Sequence, residues 1–161
     1  MTRSMSPRVG RYAAVLCAGL AIAACSKSPD ELATGAGAVP GSAQDFAQNV
    51  GDRVFFESDS SELTPKAQDT LSRQVAWLQR WDRGPFTIEG NADERGTREY
   101  NFALGARRAE ATKEFLVARG IPASRIRTIS YGKEHPVAVC NDISCWSQNR
   151  RAVTVVSDGQ S

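Results

Sequence analysis

Residues 90–108, with the sequence GNADERGTREYNFALGARR, carry the strongest structural signal in this chain of 161 residues. They follow a short apolar run at residues 86–88 and lead into a segment with helical spacing, so they occupy the junction of a strand and a helix. Seven of these 19 residues are charged, and three glycines separate them. A solvated loop and a binding site for a small charged group both account for such a junction.

The elements around this junction follow from hydrophobic spacing and from helix-capping residues. Strands are predicted at residues 54–56, 86–89, 126–131 and 152–156. A helix begins at Pro65, with Thr64 as its N-cap, and ends near Trp81, because proline and a hydroxyl side chain both favour a helix start. A second helix is predicted over residues 98–119, and Gly120 follows it where helices commonly end.

The remaining elements complete the predicted topology. Residues 123–125 add one further turn before the third strand, and a loop that contains His135 and two cysteines precedes the last strand. The order βαβαββ predicts an α+β fold, in which a mixed sheet has helices packed on one face.

The N-terminus has the composition of an export signal. Arg3, Arg8 and Arg11 precede an apolar run of 13 residues, 12–24, which is too short to cross a bilayer as a helix. Residues 1–24 are therefore predicted to be a signal peptide that is removed. Its loss takes three positive charges from a net charge of +2, and the resulting charge of −1 argues against nucleic acid as a general partner.

The end of this segment, Ile22-Ala23-Ala24-Cys25, resembles the lipobox of bacterial lipoproteins. The resemblance implies cleavage before Cys25 and acylation of the new N-terminus, for example with palmitate. Since Ser26 and not aspartate follows, it also implies retention in the outer membrane, with the domain facing the periplasm. Each buried methylene contributes about 0.8 kcal/mol, so two or three acyl chains anchor a protein durably. An ordinary secretory signal with an incidental cysteine is the alternative.

The composition of the rest of the chain predicts three segments: a tether, a folded domain and a tail. Residues 26–45 are rich in Gly, Ala, Ser and Pro and lack apolar periodicity, so residues 25–49 are predicted to be a lipidated, flexible tether. The folded domain is predicted at residues 50–156, and a short tail at residues 157–161.

Cys140 and Cys145 are the cysteines of the predicted domain. Export places them in an oxidising compartment, and a disulfide across so short a loop is expected to stabilise the fold by roughly 2 kcal/mol. A metal site is the alternative, but these two thiols and His135, the one histidine, are too few ligands. We therefore expect no metal and no other cofactor.

The second predicted helix carries Asn101, Leu104 and Arg108 along one stripe, whereas Arg107 points about 100° away. The stripe begins beside the loop that contains Asp93, so Asp93 and Arg108 are expected to face each other across a small gap. Such a pair would bind a zwitterion, because the acid takes an ammonium and the guanidinium takes a carboxylate. The alternative is an internal salt bridge between the two that only positions the loop.

Four segments together resemble the OmpA-like peptidoglycan-binding domain family: VFFESDSSEL, IEGNADERGTREYNFALGARRA, ISYGKEHP and SQNRRAV. In that family the pocket holds the diaminopimelate residue of the peptidoglycan stem peptide. The resemblance implies that Asp93 meets the ammonium of this residue and Arg108 its carboxylate. The full set of expected peptidoglycan-binding residues is Asp93, Arg108, Asn101, Asp59, Ser58, Leu104 and Thr97.

The resemblance also implies a structural role. An outer-membrane lipoprotein of this kind holds the cell wall without covalent bonds, works with the Tol proteins TolB and TolA, and supports envelope integrity and cell division. An enzyme such as a peptidoglycan hydrolase is a second hypothesis, but the sequence has no metal-ligand cluster, no Ser/His/Asp set and no Cys/His pair with a free thiol. A flagellar stator protein is a third, and it would require a full transmembrane helix.

Overall fold

The computed structural model of the chain describes residues 38–81 and 84–157. The predicted signal peptide, Cys25, the first part of the predicted tether and most of the predicted tail lie outside these residues. The described elements are α1 (Ala43–Asp45), a π-helical segment (Phe46–Gly51), β1 (Arg53–Phe55), α2 (Pro65–Arg80), β2 (Phe86–Asn91), α3 (Arg98–Ala118), a 3-10 turn (Ala123–Arg125), β3 (Ile126–Gly132), α4 (Ile143–Asn149) and β4 (Arg151–Val155). In the described parts of the chain, no helix has the length and apolar character needed to span a membrane.

The four strands form one mixed sheet in the order β1-β4-β2-β3. β4 runs antiparallel to both β1 and β2, with Ala152 opposite Val54 on one side and Gly90 on the other. β2 and β3 are parallel, and α3 makes the crossover between them. This arrangement brings the end of β2 and the start of α3 to the same edge of the sheet.

Alternate strand residues give the sheet a covered face and an open face. Val54, Ile88 and Ala152 are buried in one core together with apolar side chains of α2 and α3. Phe55 and Val155 alternate with the core-facing positions of their strands, and both are exposed. The predicted α+β fold, a mixed sheet with helices on one face, is therefore confirmed.

The segment before β1 differs from the sequence prediction. Residues 43–51 form helical turns, and Ser42 caps them, since its hydroxyl accepts from the backbone N–H of Asp45. Phe46 is only 1% exposed and packs 4.8 Å from the ring of Trp77, measured between centroids. Residues 43–49, which composition places in the predicted tether, are therefore helical in the structure, because Phe46 anchors this polar segment against Trp77.

The predicted loop between β3 and β4 contains a helix, α4. Asp142 caps it by accepting from the backbone N–H of Ser144, at 2.7 Å. A disulfide joins Cys140 to Cys145, with the two Cα atoms 5.6 Å apart. The sequence did not predict α4, because its seven residues are too few to show a helical period.

Candidate binding site

The loop between β2 and α3 is held by side chains on both of its sides. Thr97 caps α3 by accepting from the backbone N–H of Tyr100. The amide of Asn101 donates to the carbonyls of Arg95, at 2.7 Å, and Thr97, at 3.0 Å. From the other side Lys133 donates to the carbonyls of Glu94 and Gly96. These hydrogen bonds hold the loop in a defined shape.

A cavity of about 250 Å³ opens between this loop, α3 and the loop that follows β1. It is lined by Ser58, Asp59, Asp93, Arg95, Gly96, Tyr100, Asn101 and Leu104. Five of the seven sequence-predicted residues are thus brought together on its wall. The other two, Thr97 and Arg108, are not among the lining residues. The hydroxyl of Tyr100 donates to Asp59, which joins α3 to the opposite rim.

A second cavity, also of about 250 Å³, lies between the start of α3 and the end of β3, beside Phe102 and Lys133. None of the sequence-predicted residues lines it. Within the described ranges, no cluster of three His, Cys, Asp or Glu side chains is placed to hold a metal ion. The first cavity is therefore the candidate site, because it contains the predicted residues.

Asp93 is nearly buried in the wall of this cavity, at 6% exposure, and its carboxylate is paired with two arginines. Arg95 forms a two-point contact, with Nε 3.0 Å from Oδ1 and Nη2 2.7 Å from Oδ2. Arg150 approaches Oδ2 with Nη1, at 3.3 Å. Burial raises the pKa of Asp93, but hydrogen bonds from Arg95, through its side chain and backbone, and from Arg150 outweigh burial, so the pKa lies below its ordinary value.

Arg108 is completely buried and is not paired with Asp93. Its Nε donates to the carbonyl of Ser60 at 2.8 Å, Nη1 to that of Asn91 at 2.8 Å, and Nη2 to that of Glu57 at 3.1 Å. Burial and the nearby charge of Arg150 lower the pKa of Arg108 to about 10, so the side chain remains charged at neutral pH.

Of the two arrangements expected for Asp93 and Arg108, the direct salt bridge is wrong, because each side chain has other partners. The arrangement across a gap stays a prediction, and Arg108 does not line the cavity in this structure. The physical reason is competition among arginines. Arg95 and Arg150 reach the carboxylate of Asp93. The guanidinium of Arg108 is instead satisfied by three backbone carbonyls, those of Glu57, Ser60 and Asn91. The helix phase is as predicted, since Asn101, Leu104 and Arg108 are all buried.

Sequence reasoning did not assign Arg95, Tyr100 and Arg150 to the site. Arg95 lies two residues from Asp93, and this proximity was the available signal. Arg150 is 57 residues from Asp93 in sequence, and only the position of β4 beside β1 and β2 brings it close. Its Nε also donates to the carbonyl of Phe56, at 3.0 Å.

A second layer lies behind Arg95. The guanidinium carbon of Arg95 lies 4.4 Å from the ring centroid of Trp146, a cation–π contact. The indole Nε1 of Trp146 donates to Glu94 Oε1 at 2.9 Å. Trp146 follows Cys145 on α4, so the disulfide-linked segment is in contact with the wall of the cavity.

The fold and this cavity define an OmpA-like α+β domain. A family model described as the OmpA family matches residues 55–151, which include most of the described elements and the whole cavity wall. The C-terminal domain of Helicobacter pylori MotB has the same fold at 21% identity and a TM-score of 0.61, covering 67% of this chain and 86% of that one.

Proteins with higher sequence identity to this chain place it more narrowly within the OmpA-like class. The chain is 60% identical over 149 residues to the peptidoglycan-associated lipoprotein of Mesorhizobium japonicum, covering 88% of this chain and 89% of that one. It is 56% identical over 164 residues to that of Brucella melitensis, covering 98% of both. The crystal structure of the peptidoglycan-associated lipoprotein from Burkholderia pseudomallei is 36% identical, with a TM-score of 0.65, and covers 70% of this chain and 98% of that one. The chain belongs to the OmpA family and, within it, to the peptidoglycan-associated lipoproteins; it is not an enzyme.

Proposed function

We propose that this protein is a lipid-anchored tether that binds peptidoglycan without covalent bonds, at the cavity between the β2–α3 loop and the loop after β1. The observation that carries this proposal is the buried carboxylate of Asp93 in the wall of a small polar cavity. A volume of about 250 Å³ suits the end of one side chain better than a whole peptide, since sites for drug-sized ligands measure roughly 300–1,000 Å³.

The proposed ligand group is the zwitterionic end of diaminopimelate in the stem peptide. Its ammonium would pair with Asp93, and its methylene groups would lie against Leu104. Its carboxylate would be bound by Arg108, whose three bonds to backbone carbonyls use three of its five N–H groups and leave two. Ser58, Asp59, Asn101 and Thr97 would complete the border of the site. Because Arg108 is buried, the loop after β1 must move slightly for this contact to form.

The membrane anchor is the second part of the proposed function. Acyl chains on Cys25 would hold the protein in the outer membrane, and the residues between Cys25 and the first helical turns would let the domain reach the cell wall. A Cys25→Ser variant should appear in the soluble fraction of cells, whereas wild type should sediment with membranes. Sedimentation of the variant with membranes would contradict lipidation at this residue.

The proposed partners are TolB and TolA, and the proposed role is support of envelope integrity and of constriction at cell division. TolB is expected to compete with peptidoglycan for the face that contains the cavity. In a titration, saturation with a diaminopimelate stem peptide should therefore weaken TolB binding. Independent binding of the two would contradict a shared face.

Calorimetry with two stem peptides tests the ligand assignment. One peptide ends in diaminopimelate and the other in lysine, which lacks the side-chain carboxylate. The first should bind at least about tenfold more tightly, the ratio expected for losing one charge-assisted hydrogen-bonded contact. Asp93→Asn should abolish binding of both, and Asp69→Asn, at an exposed site on α2, is the matched control. Equal affinities for the two peptides would contradict the proposal.

A further inference from the structure

Arg95 forms an ion pair with Asp93, whose carboxylate the proposed function assigns to the ligand's ammonium. Its side chain donates from Nε to Oδ1 of Asp93 and from Nη2 to Oδ2. Its backbone N–H also donates to Oδ1, at 3.2 Å. A ligand ammonium needs these same oxygens. We propose that Arg95 is an internal competitor for the ligand's ammonium, a latch that must leave Asp93 before peptidoglycan binds. This inference rests on the proposed function.

The positions of the two arginines around Asp93 determine which of them is displaced. The side chain of Arg95 is 44% exposed, whereas that of Asp93 is 8% exposed, so Arg95 covers the carboxylate from the solvent side. Arg150 is 5% exposed and contacts Oδ2 from the protein interior. A ligand that enters from solvent therefore meets Arg95 first. Arg150 remains in place and keeps the carboxylate ionised.

Arg95 has two further contacts besides those with Asp93. Nη2 of Arg95 also donates to the hydroxyl of Ser58, at 2.7 Å, across the mouth of the cavity. Its guanidinium lies over the ring of Trp146, which the Trp146–Glu94 hydrogen bond and the adjacent disulfide hold in position. An arginine released from Asp93 can keep its contact with the indole ring, so displacement costs less than exposing a bare side chain.

Two roles for Arg95, competing with the ligand's ammonium and binding the ligand's carboxylate, predict different effects of its removal on peptide affinity. If Arg95 competes with the ammonium, its removal strengthens binding of every ligand that carries an ammonium. The ratio between the diaminopimelate and lysine peptides then stays the same, because both have this group. If Arg95 instead binds the ligand's carboxylate, its removal weakens the diaminopimelate peptide and reduces the ratio.

The experiment is calorimetry of wild type, Arg95→Ala and Arg98→Ala with both peptides. Arg98 is a matched control, since it is a neighbouring exposed arginine, paired with Glu134, that does not line the cavity. We expect Arg95→Ala to bind both peptides about tenfold more tightly with an unchanged ratio, and Arg98→Ala to bind as wild type does. Arg95→Ala that binds either peptide no more tightly than wild type overturns the latch.

The same data separate this failure from failure of the proposed function. A wild-type ratio near one contradicts the diaminopimelate assignment, whereas the latch is judged from the variant against wild type. A second measurement follows the wild-type protein and uses a variant only to assign one resonance. The Nε–Hε resonance of Arg95 in wild type, assigned by its absence from Arg95→Ala, should shift when the diaminopimelate peptide saturates the protein. An unchanged resonance at saturation also overturns the latch.

Discussion

Gly90 of β2 and Gly105 of α3 face each other with no side chain between them. A Cβ atom on Gly90 would collide with the carbonyl oxygen of Gly105, and one on Gly105 would lie 2.8 Å from the carbonyl oxygen of Gly90. The helix therefore rests directly on the strand. This contact sets how closely α3 packs on β2.

Gly90→Ala should lower the free energy of unfolding by about 3 kcal/mol, because backbone cannot move aside as a flexible side chain can. Chemical denaturation measures the change. Thr87→Ala, on the open face of the same strand, should cost less than about 1 kcal/mol. A Gly90→Ala protein as stable as Thr87→Ala would show that the two elements separate easily.

Arg108→Ala should both destabilise the protein and weaken its binding to peptidoglycan. The substitution removes three hydrogen bonds to backbone carbonyls and empties the space of a buried side chain, and together these losses are expected to cost about 3 kcal/mol. Arg107→Ala, one residue away and exposed, should change stability by less than about 0.5 kcal/mol. Arg108→Ala should lose more stability in denaturation and more binding in pull-down with sacculi than Arg107→Ala does. The reverse order would mean that the helix phase is wrong.

Phe46→Ala should lower the free energy of unfolding by about 3 kcal/mol, since the ring is buried against Trp77. It should also alter the fluorescence of Trp77, whose indole N–H donates to Asp45 at 2.8 Å. Gln48→Ala, exposed in the same segment, is the control. An unchanged free energy of unfolding in Phe46→Ala would show that residues 43–49 behave as part of the tether.

Asp93 should make stability depend on pH. Its pKa is lower in the folded protein than the ordinary value of about 3.9. The stabilisation is therefore fully present above about pH 4 and is lost as pH falls through the folded-state pKa. Asp93→Asn should cost about 3 kcal/mol at pH 7. The difference from wild type should shrink towards pH 2, as measured by denaturation. A difference that does not change with pH would show that the carboxylate is not held ionised by its arginines.

Features that depend on neighbours in the chain were predictable. Thr64 and Thr97 accept from the backbone N–H groups of Ala67 and Tyr100, because a hydroxyl before a helix reaches the donors of the first turn in any tertiary setting. The buried stripe of α3 follows from helical geometry in the same way. α4 was missed because a seven-residue helix capped by one aspartate gives little periodic signal.

The sequence by itself determined the order of the four strands and the two long helices, the starts of those helices, the buried face of α3 and the clustering of polar residues at the end of β2. Only the tertiary structure decided which arginine pairs with which group. Arg150 meets Asp93, and Arg108 meets the carbonyls of Glu57, Ser60 and Asn91, across separations of 17 to 57 residues. The three arginines at this site, Arg95, Arg108 and Arg150, carry the same charge and the same donors, so composition cannot assign them. The sheet order and the depth at which each side chain is buried make the assignment.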